Sequence, residues 1–166
     1  MAGKQDFTPE EWTTILESIM LAGMAVSAAD PNGLWGTVKE AFASKSALVA
    51  SKVDAGSNEL IKAVIADYET NEGRLAVQQA LREYVADAKS ADIVQRSLDK
   101  LREVSSILNA KAPKDAVAFK VLLRDVSQKV AEASNEGGFL GFGGVRVSDA
   151  EKATLADIAD ALGTPA

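Results

Sequence analysis

The residues from Phe7 to Ala29 constrain the fold more than any other part of the chain. Thr8-Pro9-Glu10-Glu11 has the spacing of a capping box, with proline at the first helical position. Apolar residues then recur at helical spacing, and from Ile19 to Ala29 the predicted helix is apolar on nearly every side. A helix of this kind has to be covered by other elements. The sequence therefore predicts a central helix that ends at Asp30-Pro31, because a residue before proline avoids the helical region.

Six further helices are predicted to cover this central helix. They run from about 34 to 53, from near 57 through 68, from 75 through 85, from a cap at Ser90 through 108, from Pro113 through 130, and from a capping box at Ser148 to Gly163. No segment alternates with period two for long enough to form a sheet. A chain of 166 residues usually forms one domain. We therefore predict an all-α fold, a single domain over 1–166 with about seven helices in a bundle.

Two segments are predicted to lie outside these helices. Residues 1–7 form an N-terminal tail, and residues 136–147 form a loop with five glycines in eight positions, interleaved with Phe139, Leu140 and Phe142. A flexible linker would be polar and rich in Gly and Ser. The glycine-aromatic loop instead has apolar anchors that either dock on the bundle or bind a partner. The sequence leaves both alternatives open.

Composition excludes several classes of function. The chain has no Cys and no His, which removes disulfides, structural zinc and imidazole acid–base chemistry. The net charge is −6, whereas a nucleic-acid-binding protein usually has a positively charged surface. The longest uncharged run, Ser18 to Ala29, has twelve residues, whereas a membrane-spanning helix needs about 20. Without a signal peptide, the expected location is the cytoplasm and no transmembrane segment is expected.

No motif in the chain predicts an active site. The glycine run lacks the third glycine of a dinucleotide fingerprint and the lysine of a phosphate-binding loop. Ser97-Leu98-Asp99-Lys100 has the S-x-x-K spacing of some serine hydrolases, but their companion motifs S-D-N and K-T-G are missing. We therefore expect a protein that is not an enzyme and that needs no cofactor, a divalent cation excepted.

Carboxylates are the metal ligands that the composition leaves, and they favour calcium, magnesium or manganese. Asp30, followed by Pro-Asn-Gly and then Glu40, marks one helix–loop–helix unit, and Asp149 and Glu151 mark a second. Similar Gly-and-aromatic loops in the two units suggest that the halves are pseudo-symmetric. We hypothesise that these four residues form a metal site if the halves pack symmetrically.

The same pattern resembles the tellurite-resistance TerB-like family. The residues that carry the resemblance are Ala29-Asp30, Gly33 and Glu40 in the first unit, and Glu136-Gly137, Ser148-Asp149-Ala150-Glu151 and Ile158-Ala159-Asp160-Ala161-Leu162-Gly163 in the second. The resemblance implies an all-helical, internally pseudo-symmetric cytosolic domain with acidic clusters for divalent metal and a link to bacterial stress response. This chain departs from the pattern in the Pro-Asn after Asp30 and in the long glycine-aromatic loop.

Two classes of function follow from these observations. The first is a non-enzymatic cytosolic binding or scaffold domain that uses its acidic surface or the glycine-aromatic loop. Its partner would be another protein or a second copy of the chain. The second is a helical bundle that encloses a small ligand or a divalent metal held by carboxylates. The absence of His and Cys favours the first class.

Overall fold

The computed structural model describes residues 2–29, 58–136 and 147–165. A short 3-10 helix, Lys4–Asp6, precedes six α-helices in this part of the chain. They are α1 (Pro9–Ala29), α2 (Glu59–Glu69), α3 (Asn71–Val85), α4 (Ser90–Lys111), α5 (Pro113–Glu136) and α6 (Asp149–Leu162). The described residues contain no strand, and all six helices contribute to one hydrophobic core. The prediction of a single all-α domain is confirmed.

Helix α1 lies at the centre of the bundle, as its sequence predicts. It contacts each of the other five described helices, and every residue from Thr14 to Val26 is buried. By length and composition alone α1 is also long and apolar enough to cross a membrane, but 83% of that apolar window is buried inside the fold. The apolar residues on all sides of α1 are therefore covered by the helices that surround it.

The start of α1 is fixed by the predicted capping box and staple. The backbone N–H of Thr8 donates to the Glu11 carboxylate at 2.8 Å, and the backbone N–H of Glu11 donates to the Thr8 hydroxyl at 3.2 Å. The rings of Phe7 and Trp12 pack with their centroids 5.7 Å apart. The capping hydrogen bonds and the Phe7–Trp12 contact thus both favour a helix that starts directly after Thr8.

The segment predicted as an N-terminal tail is fastened to the bundle. Ala2 and Phe7 are each 8% exposed. The backbone N–H of Ala2 donates to the Asp115 carboxylate at 3.0 Å. Asp67 accepts from Trp12 Nε1 at 2.7 Å and from Lys4 Nζ at 3.1 Å. Two carboxylates on α2 and α5 therefore hold this segment in place.

Several helix boundaries differ from the predicted ones, and α4 and α5 continue to Lys111 and Glu136, beyond the predicted ends at 108 and 130. Residues 71–73 were predicted to interrupt the helices, but α3 already begins at Asn71, with Thr70 as its N-cap. Gly73 lies in the first turn of α3, where a Cβ atom would stand only 2.1 Å from the Asp67 carbonyl oxygen. The glycine allows α2 and α3 to follow each other with one residue between them. Lys89, not Ser90, is at the N-cap position of α4, where its backbone N–H donates to the Asp92 carboxylate at 3.1 Å.

The remaining predictions about organisation have different outcomes. The capping box at Ser148 and the helix end at Gly163 are confirmed, and Gly163 has a left-handed φ of 65°. The predicted helix over 34–53 and residues 137–146 of the predicted glycine-aromatic loop lie outside the described residues. Glu136, predicted as the first residue of that loop, is the last residue of α5. The proposed pseudo-symmetry of two helix–loop–helix units depends on those segments and stays a prediction.

Candidate functional site

Two of the four predicted metal ligands lie in the described part of the chain, at the start of α6. The Asp149 side chain is fully exposed, and one of its oxygens lies 3.4 Å from Lys152 Nζ. Glu151 is 2% exposed, and its carboxylate accepts the backbone N–H of Ser148 at 2.8 Å. Asp30 and Glu40 lie outside the described residues. Within those residues no group of three acidic side chains is arranged to hold a metal. In the geometry shown, Glu151 serves as a helix cap.

The predicted interaction residues Phe139, Leu140 and Phe142 also lie outside the described residues. Whether this loop docks on the bundle or binds a partner therefore stays a prediction.

A groove between α5 and α6 is a candidate site. It has a volume of about 250 Å³ and is lined by Arg124, Gln128, Lys152, Leu155, Ala156 and Ala159. Its floor is apolar and its walls have two cations. One N–H of Arg124 donates to the Pro165 carbonyl oxygen, and Lys152 Nζ forms an exposed ion pair with the Asp149 carboxylate at 3.4 Å. No carboxylate in the described residues pairs with Arg124, so the groove presents positive charge on a chain of net charge −6.

The outer side of α5 extends this groove with exposed apolar side chains. Val117 is 69% exposed and Val121 is 42% exposed. Together with Arg124 and Gln128 they have the spacing i, i+4, i+7 and i+11, which places all four on one stripe of the helix. We call this stripe, together with the groove, the α5–α6 face.

The sequence of α5 contains a signal for this exposed face. The predicted inward stripe of α5 includes Phe119, Leu123 and Val126, and all three are buried. Val117 and Val121 lie two residues before members of that stripe, which rotates them to the opposite side of the helix. Apolar residues that fall outside a helix's own buried stripe thus identify the exposed patch.

A second candidate site lies inside the bundle, at Glu17 of α1. Glu17 is 8% exposed and makes no hydrogen bond or ion pair with the described residues. Burial raises the pKa of its carboxyl group, Lys100 opposes that rise, and the carboxylates of Glu103 and Glu83 add to it. Lys100 Nζ pairs instead with Glu103 at 2.9 Å. The carboxyl group of Glu17 therefore binds a proton more readily than an exposed glutamate.

Two buried tyrosines, Tyr68 and Tyr84, lie near enough to Glu17 for its charge to raise their pKa, and Ser97 lies beside Tyr84. Tyr68 is fully buried and donates to the Leu16 carbonyl oxygen, and burial raises its pKa. Burial also raises the pKa of Tyr84 to about 12, and the Ser97 hydroxyl partly offsets that rise. The hydroxyl oxygens of Tyr84 and Ser97 are both buried, and neither makes a hydrogen bond of normal geometry in the structure. We call Glu17, Tyr68, Tyr84 and Ser97 the buried polar cluster.

The position of Ser97 bears on the S-x-x-K spacing in the sequence. Ser97 is 0% exposed, so its hydroxyl has no contact with solvent in this conformation. Lys100, the other residue of the motif, pairs with Glu103 and not with Ser97. A nucleophilic serine needs a base within hydrogen-bond reach and access to its substrate. The geometry shown supplies neither.

A second surface cavity lies beside the N-terminal segment. It has a volume of about 240 Å³ and is lined by Ala2, Asp6 and residues 111–115. Of its charged side chains, Lys111 pairs with Glu11 at 2.6 Å, and Asp115 accepts hydrogen bonds from Ala2 and Asn58. Its polar groups are largely used in holding the fold together.

The fold places the chain among all-α domains with bundle-like packing around one central helix. Comparisons of the chain with protein-family models, with curated proteins and with solved structures found no match. The function therefore has to be inferred from the α5–α6 face and the buried polar cluster.

Proposed function

We propose that this chain is a non-enzymatic binding domain that recognises another protein through the α5–α6 face. The observation that carries the proposal is the stripe in which the exposed side chains of Val117 and Val121 lead into the groove at Arg124. Exposed apolar side chains cost solubility, and where they cluster beside polar groups they commonly mark interaction sites. Arginine beside an apolar patch is also typical of interface centres.

The electrostatics of the face support binding over catalysis. Its titratable groups within the groove are Arg124 and Lys152, which provide charge and hydrogen-bond donors. The chain has no histidine or cysteine to add acid–base or nucleophilic chemistry. A surface of this composition is suited to holding a partner in place.

Selection from a phage-displayed random peptide library on the immobilised chain tests this proposal. We expect the selected peptides to lose binding to Val121→Asp and to keep binding to Leu75→Asp. Leu75 is the matched control, because it is 64% exposed and lies on α3. Peptides that bind both variants equally well, or a selection without any binder, would contradict the proposal.

A second candidate function is enclosure of a small ligand, and the buried polar cluster favours it. The buried hydroxyl groups of Tyr84 and Ser97 lie near each other without a hydrogen bond of normal geometry, and this supports a polar capacity that a small molecule or cation would satisfy. Native mass spectrometry of the purified chain tests for such a ligand. We expect bound mass on the wild type that Ser97→Ala reduces. An unliganded wild type that gains no thermal stability from calcium, magnesium or manganese would exclude this alternative.

Enclosure of a divalent metal by carboxylates is a form of this second function, with Asp30, Glu40, Asp149 and Glu151 as the hypothesised ligands. Calorimetry with the same three ions tests it, and Asp30→Asn is expected to weaken any binding. The relation to the TerB-like family, with its cytosolic location and its link to stress response, belongs to the same proposal. It rests on the sequence pattern described above.

A further inference from the structure

We propose that the partner of the α5–α6 face is an acidic amphipathic helix. This inference rests on the proposed binding function and specifies the chemistry of the partner. It follows from the shape of the stripe, from the order of its apolar and cationic side chains, and from the positive charge of Arg124 and Lys152 at the groove.

The shape of the face favours a helix. The first and last of the four stripe positions on α5 are eleven residues apart, or about 16 Å at the rise of an α-helix. Side chains at this spacing form a ridge, and a second helix places its own ridge in the groove beside it. An apolar helical peptide lies in such a groove with anchors at i, i+3, i+4 and i+7. The described part of the chain offers no sheet edge to which an extended peptide would add.

The order of side chains along α5 fixes the pattern of the partner. Val117 and Val121 form the apolar end of the stripe, and Arg124 lies one turn further on, with Lys152 across the groove. A helix that follows this stripe needs apolar residues at one end of its contact surface. It needs carboxylates about one turn away, opposite Arg124 and Lys152.

The charges select an acidic partner. The guanidinium group of Arg124 donates to the Pro165 carbonyl oxygen, and no carboxylate of residues 2–29, 58–136 or 147–165 forms an ion pair with it. The ammonium group of Lys152 lies 3.4 Å from the Asp149 carboxylate, and both side chains are well exposed. Exposed pairs of this kind are weak and are readily exchanged for a better-placed partner. A bidentate carboxylate on the partner would satisfy Arg124 with two hydrogen bonds.

A second copy of this chain is a poorer occupant. The outer side of its α6 has the carboxylates of Asp157 and Asp160, but its exposed apolar residues there are the alanines at 153 and 156. Alanine side chains are too small to cover both Val117 and Val121. A membrane surface is likewise disfavoured, because the net charge of −6 repels anionic lipids.

The test uses the peptides selected on the wild-type chain, labelled with a fluorophore, with anisotropy as the readout. We expect their consensus to have apolar residues at i and i+4 and glutamate or aspartate about one turn away. Arg124→Glu should weaken their binding about tenfold, while Arg82→Glu, an exposed arginine on α3, should leave it unchanged. Variants of the peptides with lysine in place of the acids should regain affinity for Arg124→Glu.

The outcomes separate this inference from the function on which it rests. Selected peptides that need Val121 but are basic, or whose NMR shifts in the complex show an extended backbone, would overturn the acidic-helix proposal and leave the binding function standing. Peptides that ignore Val121 would overturn both. A dimer in sedimentation that Arg124→Glu dissociates, or binding to anionic vesicles in place of peptide, would likewise replace the acidic helix with another occupant.

Discussion

Replacement of Glu17 by glutamine should stabilise the protein at neutral pH. In the folded state Glu17 is 8% exposed, has no hydrogen bond from the described residues, and faces a lysine that pairs with another carboxylate. An ionised carboxylate in that position loses its hydration without full compensation. Glutamine has nearly the same shape and no charge, so it removes this cost and keeps the packing of α1.

The pH dependence gives the sign of the effect. Burial raises the folded-state pKa of Glu17 above its ordinary value of 4.5, so the folded chain binds the proton more tightly than the unfolded chain does. The contribution of Glu17 to stability is therefore complete below about pH 4.5 and is lost as the pH rises through the folded-state pKa. The difference between Glu17→Gln and the wild type should be small at pH 4 and should grow toward pH 7.

An unpaired buried polar group costs about 1–3 kcal/mol when neutral and more when charged, and glutamine exchanges the charged cost for the neutral one, so we expect a net gain of about 1 kcal/mol at pH 7. In a chain of 166 residues, each kcal/mol shifts Tm by about 2–4 °C. Thermal melts followed by circular dichroism at several pH values between 4 and 7.5 measure this shift. The matched control is Glu69→Gln, an exposed carboxylate at the end of α2, which should change stability by less than about 0.5 kcal/mol. A Glu17→Gln variant that melts at or below the wild-type temperature at pH 7 would refute this account of Glu17.

Three further substitutions test the fold by urea or thermal unfolding. Ser148→Ala removes the hydroxyl that accepts the Glu151 backbone N–H and should cost about 1 kcal/mol, and a change below 0.3 kcal/mol would contradict its role as a cap. Gly73→Ala places a Cβ atom 2.1 Å from the Asp67 carbonyl oxygen and should destabilise by about 1–3 kcal/mol, although alanine normally favours a helix over glycine. A stabilised Gly73→Ala variant would show that α2 and α3 are not so closely joined. Phe119→Ala removes a ring that is 0% exposed and should cost about 3–5 kcal/mol, whereas a loss below 1 kcal/mol would place Phe119 outside the core.

The parts of the fold that local chemistry determines were predictable from the sequence. The capping boxes at Thr8 and Ser148 and the left-handed glycine at 163 each involve residues within one turn of each other, so their spacing is visible in the chain. The boundary between α2 and α3 was not predictable in this way. Gly73 is needed because α2 ends directly against it, and that proximity exists only once both helices are placed.

The candidate sites were harder to predict, since long-range contacts define them. Asp67 and Asp115 hold the N-terminal segment from positions more than 50 residues away. Of the predicted ligands, the structure shows Glu151 turned to its own helix cap. The sequence is compatible with either role, because the Glu of a Ser-x-x-Glu motif can complete a capping box or remain available as a ligand.

Folded chains usually bury apolar side chains and expose charged ones, and Glu17 and the two valines of α5 depart from this rule in opposite directions. Glu17 is the one charged residue between Trp12 and Asp30, and it is buried within the most apolar helix of the chain. Val117 and Val121 are large apolar residues on the outside of an otherwise regular amphipathic helix. Neither departure is favoured by folding, because one buries a charge and the other exposes apolar surface. Residues that break the local pattern without benefit to the fold are expected at functional sites. For this reason the α5–α6 face and the buried polar cluster are the positions at which binding experiments should begin.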